Sequence, residues 1–198
     1  MKRIIIQVVL LAVIVFLGYF VYQSIMEPVH FDTEKRAREK VVIEKLKDIR
    51  LAQFVYKRVN GSYAGNFDSL IDFLAVAEIP IVKMVADPED TTFTKTINDT
   101  VGYIKIADSL FSRKHYKLPQ LSIIPFSDGE LFEIQADTIE RGGVDVHVFL
   151  AQAPYTAYLK GMDQQTIINI IAKREDIDKY PGLKVGSMTE PSTDGNWE

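Results

Sequence analysis

From Ile4 to Tyr22 the chain is apolar at nearly every position, and Gln7 is the one strongly polar side chain in the run. At about 1.5 Å per helical residue this segment nearly covers the roughly 30 Å hydrocarbon layer of a bilayer, which predicts a single transmembrane helix. Tyr19 and Tyr22 suit the far interface. The main rival is a cleaved signal peptide, because a short basic start before an apolar run is also its signature. Cleavage wants small residues, whereas Gly18-Tyr19-Phe20-Val21-Tyr22 places bulky ones there, so retention of the anchor is the expectation. Lys2 and Arg3 favour a cytoplasmic start with the bulk of the chain outside, while Lys35, Arg36, Arg38 and Lys40 beyond the run weaken that bias.

The pattern changes at Pro28, which is expected to interrupt a continuous helix. A second helix is predicted from Thr33, as N-cap, to about Val59, where Asn60-Gly61 supplies a stop. Val42, Leu46, Ile49, Gln53 and Tyr56 alternate at spacings of four and three, so they form one stripe of that helix. Lys45, Lys47, Asp48, Arg50 and Arg58 fall mostly off the stripe. Glu34 to Lys40 is nearly all charged and reads as a solvated stalk, with Glu34 and Arg38 a favourable i,i+4 pair. A short coiled coil is the structural alternative for this region. Asn66 caps a further helix whose Phe67, Leu70, Ile71 and Leu74 recur at i, i+3, i+4 and i+7. The turn-rich link from Asn60 to Gly65 should fold the two helices into a hairpin or corner.

Short β-prone runs follow: Ile79 to Val82 around Pro80, Thr92 to Ile97, and Val101 to Ile106, separated by Asp87-Pro88-Glu89-Asp90 and by Asn98-Asp99. Phe132, Ile134 and Ala136 alternate with polar residues, as do Val144, Val146 and Val148, which predicts a hairpin turning at Glu140 to Gly143. Tyr155 to Leu159 reads as one more strand. Asp163 caps a last helix carrying Ile167, Ile168, Ile170 and Ile171. The expected class is therefore α+β: an N-terminal transmembrane helix, an amphipathic helix and a short second helix, then a small antiparallel sheet and a late helix. The divisions are a cytoplasmic tail 1–3, an anchor 4–22, a charged stalk 23–40, a soluble domain 41–181 and a polar, mobile tail 182–198.

Composition narrows the function classes. With 198 residues and 47% hydrophobic content the chain can bury one sizeable core. Its formal charge is −4, and the segment after the anchor is more acidic still, because Lys2 and Arg3 precede the run. That balance argues against nucleic acid, whose phosphates need clustered Lys and Arg. The absence of cysteine excludes zinc ribbons, thiol catalysis and disulfide staples.

Candidate chemistry is sparse. His30, His115 and His147 lie far apart, none with a second ligand-type residue at zinc spacing. Gly61-Ser62-Tyr63-Ala64-Gly65 has tyrosine where a nucleophile elbow needs its serine. Asp87, Glu89 and Asp90 lack the ordered spacing and glycine of a calcium loop. Asp137, Glu140 and Asp145 flank a hairpin tip, where an acid and base pair is conceivable but a solvated turn is the simpler reading. Asn98-Asp99-Thr100 fits a glycosylation acceptor that matters only in a eukaryotic secretory context. Trp197, the sole tryptophan, either docks on the domain or a partner or marks an exposed end. No catalytic, metal or cofactor residue is assigned.

Leu46 to Tyr56, followed by Asn60-Gly61-Ser62-Tyr63 and then Phe67-Asp68-Ser69-Leu70, resembles the post-anchor helix and turn of type IV pilins and type II secretion pseudopilins. The resemblance covers about residues 41–74. It implies a membrane helix continuing into an amphipathic half, packed through an alanine and tyrosine ridge on a small sheet. Leu46, Ile49, Gln53, Tyr56, Tyr63 and Phe67 are then structural or interaction residues. The chain departs from that family in having no glycine before Ile4 and no glutamate in the early apolar run. The whole pattern, including the Gly195-Asn196-Trp197-Glu198 end, is also similar to membrane-anchored proteins of Bacteroidota, which implies a Gram-negative inner membrane. The expectation is a non-enzymatic scaffold of a cell-envelope assembly with protein partners, possible self-association, no nucleic acid and a periplasmic C-terminal domain. A periplasmic binding or adaptor module of another envelope machine is the alternative, and an envelope enzyme of unknown class ranks behind it.

Overall fold

The computed structural model describes residues 2–86, 96–111, 114 and 116–198. Its longest element is α1, Lys2–Asn60, a single helix of 59 residues, about 90 Å long at 1.5 Å rise. Its first part, from Ile4 through Ile25, stands exposed and is long and apolar enough to cross a membrane. Pro28 lies inside this helix and does not end it. A proline deletes one i to i−4 hydrogen bond and crowds the preceding turn, a local cost that the long helical stretches on either side outweigh here. Thr33 consequently does not cap: its Oγ1 donates back to the Val29 carbonyl at 2.8 Å, as hydroxyls do within a continuing helix.

The region expected to stand as a free stalk is partly covered. Phe31 is buried, and Arg38 donates to the Tyr158 and Lys160 carbonyls at 3.2 and 2.8 Å while it also holds Glu34. The Tyr158 and Lys160 carbonyls lie at and just beyond the end of α4, Tyr155–Tyr158, where helix-end carbonyls need outside donors. Tyr155 to Leu159 was the expected strand. It is helical because Pro154 ends the preceding strand, while spacing of three brings Tyr155 and Tyr158 into the core together.

The short helix α2, Phe67–Val76, starts at Asn66, whose side chain accepts from the Ser69 amide at 2.8 Å. It buries Phe67, Leu70 and Leu74 against the α1 seam. A two-stranded antiparallel ribbon follows, β1 Glu78–Ala86 and β2 Thr96–Lys105, with a bulge between Ile81 and Val82. Asn98 and Asp99 were expected to separate two strands. They lie within β2, paired with Met84 and Lys83, because backbone pairing along the ribbon overrides their turn preference. The segment Asp87 to Asp90 and most of the Thr92 to Ile97 run lie outside the described residues. Helix α3, Ile106–Phe111, and a 3-10 turn, Leu118–Ser122, then lead to the main sheet.

That sheet is antiparallel with order β3-β4-β5: Glu133–Arg141, Val144–Pro154 and Gly182–Gly186. The β3 to β4 hairpin turns at Gly142 and Gly143, with φ of 61° and 79°, the left-handed pair that a two-residue hairpin favours. Helix α5, Gln164–Glu175, is capped by Asp163, whose side chain accepts from the Thr166 amide. The core joins Val42, Leu46, Ile49 and Ala52 of α1 to Phe149, Ala151 and Ala153 of β4 and to Leu183 and Val185 of β5.

The C-terminal segment, expected to be a mobile tail, completes this sheet. β5 pairs with β4, and Asn196 fastens the last residues by accepting from the Lys184 amide and donating to the Lys184 and Gly182 carbonyls. Glu198 pairs with Arg50 at 3.0 Å, and Trp197 packs on the core. Polar composition did not mean mobility here, because these polar groups find backbone partners.

Candidate functional site

The residues singled out from the sequence converge on one packed seam. Leu46, Ile49, Gln53 and Phe67 are buried, while Tyr56 and Tyr63 are half-buried at its edge. Tyr56 meets the Phe73 ring edge-on at 5.0 Å. The Tyr63 and Phe149 ring centroids lie 4.7 Å apart, and Lys57 Nζ stands 4.5 Å from the Tyr63 ring centroid. At the seam's centre, the Gln53 amide group donates to the Ala64 carbonyl at 2.8 Å and accepts from the Ala64 amide at 2.9 Å. One side chain thus satisfies both backbone groups of a buried loop residue. Gln53→Ala should cost about 2–3 kcal/mol, since an unsatisfied buried backbone group costs about 1–3. Chemical denaturation of the full chain measures this, and Gln53→Leu should not restore stability; rescue by leucine would mean that volume matters there and hydrogen bonding does not.

The hairpin carboxylates stand in solvent. Asp137, Glu140 and Asp145 are exposed; Glu140 and Asp145 face each other at the hairpin end, and Asp137 accepts from the Thr138 amide. His147 lies 2.8 Å from the Thr138 hydroxyl across the same hairpin. Asp87, Glu89, Asp90 and His115 lie outside the described residues.

A second cluster escaped the sequence reading because Lys45 and Asp48 fall off the apolar stripe of α1. Both are buried, at 8% and 9% exposure. The usable signal is a neighbouring stripe, Val41, Lys45, Asp48 and Ala52, at spacings of four, three and four. Its Val41, Lys45 and Asp48 face Lys114, Tyr116, Gln120 and Ile123 to Pro125 across a cleft of about 530 Å³. Asp48 divides its charge between two partners, Lys114 Nζ at 2.7 Å and the Tyr116 hydroxyl, which donates at 2.5 Å. Lys45 Nζ donates to the Ile123 carbonyl at 2.5 Å and stands 4.9 Å from the Tyr116 ring centroid.

Burial lowers the Lys45 pKa to about 8, partly offset by the nearby Asp48 charge. Burial, reinforced by the bond to Asp48, pushes the Tyr116 phenol well above its ordinary range, so it remains a donor. Val41, Ile123, Ile124 and Pro125 supply aliphatic lining beside these groups. The arrangement offers a cation, a fixed dipole and apolar surface, which is the inventory of a binding cleft.

Comparison of the chain with protein-family models, with curated proteins and with solved structures returns no match.

Proposed function

We propose that this chain is a membrane-anchored, pilin-like scaffold component of a cell-envelope assembly, with its head in the periplasm, acting through protein contacts and not through catalysis. The observation that carries the reading is the continuity of α1. One helix supplies the exposed apolar segment and, without a break, the ridge buried beneath the three-stranded sheet. A head mounted on such a helix has its distance from the bilayer set by helix length, unlike a head on a flexible linker. Beyond the seam, Leu51 and Phe54 lie three residues apart on α1 with 44% and 41% exposure, apolar surface available to another protein. The cleft beside Lys45 favours the alternative of a binding or adaptor module, and both roles are compatible with one head.

Membrane fractions should contain the chain with its apolar segment intact, and a reporter fused after Glu198 should be active only outside the cytoplasm. The native chain lacks cysteine, so a single cysteine placed at Phe54 should yield specific crosslinks to envelope proteins or to a second copy. Alanine at Asp137, Glu140 or Asp145 should leave both folding and cellular function unchanged. A mature chain beginning after Gly18, cytoplasmic reporter activity, or a folded carboxylate variant that fails to complement a deletion strain would each overturn the reading.

A further inference from the structure

The ammonium of Lys45 is the most unusual charge in the head. It is buried, it can donate three hydrogen bonds, and its one oxygen acceptor among the described residues is the Ile123 carbonyl. No carboxylate stands within ion-pairing distance of it among the described residues, because Asp48, the nearest by charge influence, is held by Lys114 and Tyr116. A buried cation left in this state is costly, and an anion supplied from outside would relieve that cost. The cleft that Lys45 lines is of a size suited to a small organic molecule, and Val41, Ile123, Ile124 and Pro125 give it an aliphatic part beside its charged and polar residues.

We propose that this cleft binds a small monocarboxylate with an apolar body, the carboxylate seated on Lys45 and the body against Val41, Ile123, Ile124 and Pro125. A monoanion is favoured over phosphate by the charges around it. Lys45 and Lys114 are opposed by Asp48 and Glu44, so a second negative charge on the ligand would meet carboxylates without a spare cation. Gln120, also lining the cleft, accepts from the Lys117 amide and belongs to the local turn. The proposal is independent of the scaffold reading: a ligand would tune or report on the head whichever assembly it serves.

The test uses the full chain in lipid nanodiscs, titrated calorimetrically with phenylacetate, with phenylacetamide as the uncharged match and empty nanodiscs as the blank. Phenylacetate should bind saturably, and at least about tenfold more tightly than the amide. Between about pH 7 and pH 10 its affinity should fall while that of the amide stays level, because the ammonium at about 8 loses its proton across that range whereas the carboxylate is already ionised. Lys114 and Tyr116 face the same space, so the control is Lys47, exposed on α1 and outside the cleft lining: Lys47→Met should keep the preference for acid over amide, and Lys45→Met should abolish it. Should Lys45→Met fail to fold, the acid and amide comparison with its pH profile decides the matter on the unmodified chain. Equal affinity for acid and amide, an unchanged preference in folded Lys45→Met, or no saturable signal above empty nanodiscs at about 1 mM would overturn the proposal.

Discussion

Phe149→Ala is expected to destabilise the head by about 3–5 kcal/mol, the usual cost of removing a fully buried aromatic side chain. Phe149 sits in the central strand β4, fully buried, where it joins the α1 ridge to Tyr63 of the loop after that helix. The cavity left by alanine would be bounded by a strand paired on both sides and by a helix held along its length, so collapse around it would be limited. A thermal melt of the full chain in detergent, followed by near-ultraviolet circular dichroism, should show a drop of roughly 10 °C for a domain of this size. Val144→Ala, in the same strand but 63% exposed, should stay within about 0.5 kcal/mol. A loss below about 1 kcal/mol for Phe149→Ala would mean that helix and sheet are not packed through this residue.

The second large effect is expected at Gly186, the last residue of β5. Its φ is +81°, and a Cβ there would stand 2.2 Å from the Phe149 carbonyl oxygen and 3.1 Å from the Phe149 carbonyl carbon. Gly186→Ala therefore combines left-handed backbone strain with a collision against the backbone of the neighbouring strand, and should cost more than about 3 kcal/mol. Gly61 provides the comparison, with φ of +82° and nothing within 4 Å of the added carbon. Gly61→Ala should show only the conformational part, about 1–2 kcal/mol. Equal losses at the two positions would remove the case for β5 closing the sheet, and with it the placement of the last residues on the head.

Several elements were legible because their signals are local. The apolar run from Ile4 to Tyr22, the stripe of Val42, Leu46, Ile49 and Gln53, the Asn66 and Asp163 caps and the hairpin at Gly142-Gly143 depend on neighbours within a few positions. Periodicity and capping are read from the chain in that way. Where the reading failed, distant partners decided. Pro28 and Thr33 were weighed as local breaks, but α1 carries through them and is anchored beyond by Arg38 on α4, far along the chain. Tyr155 to Tyr158 had β-prone composition and became a helical turn where β4 ends. The segment from Gly182 onward looked like a solvated tail because its polar groups cannot reveal that their partners are Asn196, Lys184 and Arg50.

The candidate site divides in the same way. Sequence spacing alone placed Leu46, Ile49 and Gln53 on one face of the first helix and Phe67 on the apolar face of the next, since helical geometry determines which side chains share a face. It did not foresee that Gln53 would serve both backbone groups of Ala64, a pairing created by the turn that brings the loop back to α1. Still less did it foresee Lys45 and Asp48, whose charges argue for solvent until Lys114, Tyr116 and Ile123 fold across them. Local pattern determined the long apolar run, the helices and the hairpin, because those form from adjacent residues. Tertiary structure decided the unbroken strut, the closing strand and the buried charges, because each is stabilised by groups that the chain brings together only on folding.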